Sequence, residues 1–163
     1  MLTGEFLVRR VDVLYDNGKS LNPAIDIGQI EGGFVMGMGN VTTELMQFEP
    51  AGENVGRLNT PNTWTYKPPA STTVPRVFNV DLFHRDPNSR IPHNPNLLLS
   101  SKGIGEPPLV LASTVFFAIK RAIRAARIDA GLGGDWFELE SPATVERIQQ
   151  ACSGTSVSSK TAL

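Results

Sequence analysis

The sequence has few of the residues from which protein metal sites are most often built. Its 163 residues include one cysteine, Cys152, and two histidines, His84 and His93. A single cysteine excludes an intrachain disulfide and an iron–sulfur centre held by this chain alone. The two histidines stand among prolines, asparagines or charged residues, which is more typical of exposed loops and strand ends than of metal ligands. We therefore predict no metal ligand in this chain.

Long apolar runs and an excess of one charge are also lacking. Four charged residues interrupt the first twelve positions, so the N-terminus does not resemble a secretory signal. No stretch approaches the roughly 20 apolar residues that a membrane-spanning helix needs. The net charge of −1 gives no strong attraction to nucleic acid or to an anionic membrane. We expect a cytoplasmic protein with neither of these as a partner.

What is present is a mixture of strand and helix patterns. Alternating β-forming residues predict strands over 6–15, 42–48, 64–67 and 77–83. N-capping residues and early prolines predict helices over 23–38, 107–127 and 142–150, the last with Ser141 as its N-cap. The predicted fold class is α+β, a small mixed sheet with a Gly-rich helix and a long C-terminal helix packed on it. We expect helix 107–127 to lie against the sheet containing 77–83, with Phe116 and Ile119 buried.

The helix predicted over 23–38 is unusually rich in glycine. Its apolar face is formed by Ile27, Ile30, Phe34 and Met38, which recur at spacings of three and four. Five glycines lie in or beside it: Gly28, Gly32, Gly33, Gly37 and Gly39. An interior glycine costs up to about 1 kcal/mol relative to alanine. The pattern therefore indicates that another element or a ligand approaches this helix closely.

Glu106 is the carboxylate most suited to chemistry. It follows two glycines, Gly103 and Gly105, whose backbone can come close to a ligand. It also precedes Pro107, which favours an extended backbone at Glu106 and a fixed side-chain direction. A carboxylate held ionised at a helix start can act as a general base. From the residues alone, a simple helix-capping role is the stronger alternative.

A second candidate segment surrounds Gln29. Its amide can both donate and accept hydrogen bonds, and its neighbour Gly28 leaves room for a ligand. From the residues alone, a plain surface glutamine remains the simpler interpretation. Asp26 and Glu31 fit solvated or helix-capping roles better than catalytic ones.

The two segments together resemble a known enzyme family. The stretches SLNPAIDIGQIEGGFVMGMG and SSKGIGEPPLVLASTVFFAIKRAIRAAR look like the molybdopterin-binding region of xanthine dehydrogenases and aldehyde oxidases. The resemblance covers most of residues 4–128. It implies that Glu106 is the active-site base and that Gln29 lies against the molybdenum cofactor, with Gly28 and Gly105 beside it. The segment 50–63 and the second proline of Lys67-Pro68-Pro69 depart from the family pattern.

The resemblance also implies a reaction and its partners. Family members oxidise purines or aldehydes by hydroxylation at carbon, and Glu106-Pro107-Pro108 favours the xanthine dehydrogenase type. The full-length enzymes carry iron–sulfur clusters and FAD, use NAD or oxygen as acceptor, and are expected to form homodimers. We accordingly expect a small-molecule substrate and the remaining domains of the same enzyme as partners. The alternatives are an aldehyde oxidase, another molybdenum hydroxylase large subunit, or an inactive fragment.

The expected organisation has three parts. Residues 1–130 form the C-terminal portion of a molybdopterin-binding domain, residues 131–152 a short helical region, and residues 153–163 a disordered tail. Since the resemblance places other cofactor-binding regions outside this chain, we expect the chain by itself to be an incomplete and inactive fragment.

Overall fold

A computed structural model describes residues 3–84, 96 and 101–154 of the chain. The elements in chain order are β1 (Arg10–Tyr15), α1 (Pro23–Thr42), β2 (Val77–Leu82), α2 (Pro107–Leu111), α3 (Ser113–Asp129) and α4 (Val145–Ser153). The combination of one small sheet with surrounding helices confirms the predicted α+β class. His93 and most of the loop predicted over 86–96 lie outside the described residues, and the predicted tail is described only as far as Gly154, just beyond α4.

The two described strands pair in parallel. The register runs from Arg10 opposite Val77 to Tyr15 opposite Leu82. Parallel neighbours need a crossover connection, and α1 with the segment after it supplies that connection. The described sheet is thus parallel rather than mixed. The strand predicted over 77–83 is confirmed with one residue less at its end, and the first strand begins at Arg10 rather than at residue 6.

Two of the predicted strands are not formed. Thr42, predicted to begin a strand, is instead the last residue of α1. Its hydroxyl donates to the Met38 carbonyl at 2.6 Å. Only an isolated bridge from Phe48 to Leu58 remains of that strand. The segment 64–67 is a turn in which the Asn62 carbonyl accepts from the backbone N–H of residue 65. In both places local hydrogen bonds and packing override the β-propensity of the side chains.

The predicted helices exist but their bounds differ. The long helix predicted over 107–127 is two helices, α2 and α3, separated by Ala112, which is fully buried. The final helix begins later than predicted because Thr144, not Ser141, is its N-cap. The Thr144 side chain accepts from the Arg147 backbone N–H. A cap is decided by which side chain reaches the first-turn N–H groups, and several residues of this segment are able to do so.

The core is centred on α1. Ile30, Phe34 and Met38 are almost completely buried, as the apolar periodicity predicted. Ile27, the fourth member of the predicted face, is half-buried. Phe34 meets Phe78 of β2 edge to face, with ring centroids 5.5 Å apart. Helix α1 also packs against α2 and α3. It therefore joins β2 to α2 and α3.

The expected packing of the long helix is confirmed in part. Within the described residues, the nearest backbone neighbours of α3 are α1, α2 and α4, and its buried side chains share one core with Val11 and Val13 of β1. Ile119 is buried as predicted, whereas Phe116 is only partly buried. The apolar face of α3 was identified correctly, but a helical periodicity cannot tell which neighbour that face will meet.

Candidate active site

Glu106 lies at the N-cap position of α2, and its side chain is exposed. Its backbone is helical (φ −85°, ψ −37°), not extended as the following proline predicted. The Glu106 carbonyl already accepts from the Leu109 N–H at 3.0 Å, and α2 is pressed against α1. Tertiary packing and this first hydrogen bond outweigh the steric preference imposed by Pro107. The backbone conformation at Glu106 is therefore set by the packing of α2.

The loop before Glu106 is fastened to the turn that follows β1. The Lys102 backbone N–H donates to the Asn17 carbonyl at 2.9 Å, and Ser101 forms a bridge with Gly18. The Lys102 ammonium pairs with the Asp16 carboxylate at 2.6 Å. These bonds join segments more than 80 residues apart in the chain, so the carboxyl end of β1 fixes the start of the Glu106 loop.

Tyr15 gives the same loop a further anchor. Its hydroxyl donates to the Gly103 carbonyl at 2.8 Å. Partial burial raises the pKa of the Tyr15 phenol, and the nearby negative charge of Glu106 raises it further. The second cause shows that Tyr15 and Glu106 are electrostatic neighbours. Tyr15 is a site residue that the sequence reasoning did not identify, because its position at the end of β1 reveals nothing about a loop so distant in sequence.

Asp26 links the first turn of α1 to the turn that follows β1. Its carboxylate is buried and accepts from the Asn17 amide at 2.7 Å and from the Ser20 hydroxyl. Asn17 is only 1% exposed, and its carbonyl receives the Lys102 N–H described above. The sequence reasoning expected Asp26 to be solvated or capping. Instead it joins α1 to the Glu106 loop through one buried asparagine.

Two glycines let α1 and α2 approach closely. A Cβ placed on Gly33 would lie 2.9 Å from the Gly105 carbonyl oxygen. One placed on Gly37 would lie 2.8 Å from the Ala112 Cβ. Both distances are too short for ordinary contact, so larger side chains would push the helices apart. This confirms that another element approaches the Gly-rich helix, as its composition indicated.

Gln29 stands one helical turn before Gly33, which places it near the contact with Gly105 and hence near Glu106. Gln29 and its neighbour Gly28 are exposed. A Cβ at Gly28 or at Gly105 would meet nothing within 4 Å. The helical spacing thus puts Gln29 on the side of α1 that meets the Glu106 loop, with an open side at Gln29 and Gly28.

This open side is suited to a large polar cofactor. The Gln29 amide can both donate and accept hydrogen bonds. In the described part of the chain, neither Gln29 nor Glu106 uses its side chain in an internal hydrogen bond. The bare glycines allow close approach of a planar ligand. Among the described residues, no group of three His, Cys, Asp or Glu side chains could hold a metal ion. The exposed amide and the bare glycines fit an organic cofactor.

The described helices include none that is long and apolar enough to cross a membrane.

His84 is exposed two residues beyond the end of β2.

Comparison with known proteins identifies the region to which this chain is similar. A family model described as molybdopterin cofactor-binding domain matches residues 1–75. Xanthine dehydrogenase 1 of Arabidopsis thaliana is 50% identical over 154 residues, which are 93% of this chain and 11% of that protein. "Probable aldehyde oxidase 2" of Oryza sativa subsp. japonica is 46% identical over 155 residues, again 93% of this chain and 11% of that protein.

A solved structure shares the fold. The reconstituted CO dehydrogenase from Oligotropha carboxidovorans superposes with a TM-score of 0.69 and 20% identity, covering 94% of this chain and 17% of that chain. The present chain spans about one tenth of the length of the curated relatives that it matches.

Proposed function

Since this chain belongs to the xanthine dehydrogenase/aldehyde oxidase family of molybdenum hydroxylases, we propose that it supplies the catalytic base of an enzyme that hydroxylates purines such as hypoxanthine and xanthine. The base is Glu106. The observation that carries the proposal is the position of this carboxylate, exposed at the start of α2 beside the open Gln29 surface. The complete enzyme includes the much longer remainder of a family-length polypeptide.

Glu106 has the properties that a general base needs. Its carboxylate is exposed to a surface that a ligand can reach and stands on a loop held by Tyr15, Asn17 and Lys102. A base held rigidly before the reaction loses little entropy when it takes a proton.

The cofactor surface consists of Gln29, Gly28 and Gly105. The molybdopterin cofactor, when bound, supplies the oxidation–reduction chemistry that no amino-acid side chain offers. Gln29 orients the cofactor by hydrogen bonds, and the two glycines let it lie close to the backbone of α1 and of the Glu106 loop. In the complete enzyme, iron–sulfur clusters and FAD would carry the electrons onward to NAD or oxygen. The complete enzyme is proposed to be a homodimer.

An aldehyde oxidase is the second candidate, and the 46% identity to the Oryza sativa protein supports it. The Pro-Pro pair after Glu106 and the 50% identity to the Arabidopsis thaliana protein favour the purine enzyme. Oxidation rates for xanthine and for an aromatic aldehyde, measured on one preparation, would decide between the two candidates.

The test is a chimaera of the Arabidopsis thaliana relative in which this chain replaces the 154 matched residues. Glu106→Gln keeps the size of the side chain and removes its basic function. General-base catalysis contributes about 10²–10⁴ in rate, so xanthine turnover should fall at least a hundredfold while molybdenum content is unchanged. Glu146→Gln is the matched control because Glu146 is an exposed glutamate in the first turn of α4, a helix that packs against neither α1 nor α2. Near-normal turnover of the Glu106→Gln chimaera would refute the assignment and leave Glu106 as a helix cap.

A further inference from the structure

The buried side of α1 begins with a carboxylate. Asp26, Gly33 and Gly37 are all buried, and their spacing puts them on one side of the helix. The two glycines are those that meet the Gly105 carbonyl and α2. Asp26 therefore stands on the side of α1 that faces the Glu106 loop, about two turns before Gly33.

Asn17 joins that carboxylate to the Glu106 loop. Its side-chain amide donates to the Asp26 carboxylate at 2.7 Å, and its backbone carbonyl accepts from the Lys102 N–H at 2.9 Å. Asn17 is 1% exposed, whereas the side chains of the neighbouring Lys102–Asp16 ion pair are 40% and 42% exposed. An exposed ion pair contributes little, but a buried polar group that loses its partner is strongly disfavoured. The bonds of Asn17 therefore constrain the loop more firmly than the ion pair does.

The glycine contacts and the hydrogen bonds restrict different movements. The contacts of Gly33 and Gly37 are steric, so they determine how closely α1, α2 and the Glu106 loop can approach one another. Glycine has no side chain that interlocks with a neighbour, so these contacts resist sliding of the loop along α1 only weakly. The bonds of Asn17 are directional and weaken steeply when donor and acceptor move out of line. They therefore oppose the sliding that the glycines leave free.

Sliding at this junction would move the proposed base relative to the proposed cofactor surface. Gln29 lies between Asp26 and Gly33 on α1, and Glu106 directly follows Gly105 on the loop. A shift of the loop along the helix changes the distance from the carboxylate to whatever Gln29 holds. A displacement of about 1 Å in a catalytic arrangement can lower a rate about a hundredfold.

We propose that Asn17 is a positioning residue that fixes where Glu106 stands relative to Gln29. It acts through two bonds, one to Asp26 of α1 and one to Lys102 of the Glu106 loop. Because Asn17 is buried, it does not contact a ligand itself. The inference rests on the proposed function, since the position of Glu106 affects turnover only if Glu106 is the base.

The first test exchanges the two bonded side chains in the isolated chain. Asn17→Asp sets two carboxylates against each other, and like charges at hydrogen-bond distance repel. The Lys102 amide should then exchange at least about tenfold faster with solvent hydrogen. Adding Asp26→Asn restores an amide–carboxylate pair in the reverse direction, and the Ser20 hydroxyl can pair with an amide as well. Exchange should therefore return to its original rate in the double variant, and exchange that stays fast there would overturn the link.

The second test measures xanthine turnover per bound molybdenum in the chimaera described above. Asn17→Ala removes the donor without adding a charge, so it also serves if Asn17→Asp does not fold. Its kcat should fall about tenfold or more while KM changes less than about twofold. The Asn17→Asp chimaera should lose turnover likewise, and the double variant with Asp26→Asn should recover most of it. Asn54→Asp is the matched control, because Asn54 is exposed in a turn outside α1 and the Glu106 loop.

A structural role alone predicts a different result. Asn17→Ala would then lower stability and yield but leave kcat per bound molybdenum unchanged, and that outcome would overturn the proposal. A rise in KM at constant kcat would overturn it too, because Asn17 would then affect substrate binding. Normal turnover of the Glu106→Gln chimaera would refute the base and with it the positioning role, while the exchange test would still report on the bond between Asn17 and Asp26.

Discussion

The two halves of α1 use glycine in opposite ways. In the C-terminal half, Gly33 and Gly37 are buried, and any side chain there would collide with α2. In the N-terminal half, Gly28 and Gly32 are exposed, and a Cβ at either would meet nothing within 4 Å. Internal packing explains the first pair completely. The second pair lowers helix stability without allowing any closer packing within the described chain. A bound ligand that approaches α1 would account for these two glycines.

The largest effect is expected at the packed half. Gly37→Ala would place a methyl group 2.8 Å from the Ala112 Cβ and from the Leu109 Cα. Since backbone atoms cannot yield as a side chain does, α2 must shift, at a cost of about 3 kcal/mol. Chemical denaturation of the isolated chain would measure the loss. Gly32→Ala is the matched control, and equal stabilities of the two variants would remove the distinction between the halves.

The next effect concerns the anchor at the start of the open half. Asp26→Asn retains the side-chain size but removes the charge that accepts from Asn17 and Ser20. Hydrogen bonds to a charged partner contribute about 1.5–3 kcal/mol, so the unfolding free energy should fall by about 2 kcal/mol. Hydrogen exchange should quicken at the Lys102 amide, whose acceptor is the Asn17 carbonyl. An unchanged Lys102 amide would mean that Asp26 does not hold the Glu106 loop.

A smaller effect should be visible in the titration of Tyr15. Burial and the charge of Glu106 raise its pKa above the ordinary 10.0, so Glu106→Gln should bring the pKa part of the way back. Because the folded-state pKa is the higher one, the Tyr15 contribution to stability is present below pH about 10 and is lost as pH rises through that folded-state value. Ultraviolet titration in a Tyr66→Phe background isolates the signal. An identical midpoint with and without Glu106 would contradict their proximity.

The smallest effect on stability belongs to the open half and has the opposite sign. Gly28→Ala replaces an exposed helical glycine with nothing nearby, so the isolated chain should gain about 0.5–1 kcal/mol. In the chimaera, the added methyl group would stand between α1 and the cofactor, and the molybdopterin content should fall. Thermal denaturation and metal analysis measure the two changes. A Gly28→Ala chimaera with full cofactor content would show that this glycine does not face the ligand.

Local patterns predicted what depends on neighbouring residues alone. The spacing of Ile30, Phe34 and Met38 was sufficient to identify the buried face of α1, since helical periodicity brings these side chains to one side. The alternation over 77–83 identified β2 for the same kind of reason. Where two local tendencies competed, the prediction failed. The β-branched residues after Met38 favoured a strand, whereas the Thr42 hydroxyl and the packing of Gly39 extended the helix.

The sequence by itself determined the family and the residues that stand at its motifs, because long ordered matches require no coordinates. It also determined that α1 must meet something closely, since so many glycines weaken a helix that has no partner. Only the tertiary structure decided that Gly33 and Gly37 meet α2 while Gly28 remains open, and that Tyr15 and Asp26 hold the loop before Glu106. Contacts between segments some 80 residues apart depend on how whole elements pack, and no spacing within one element encodes that arrangement.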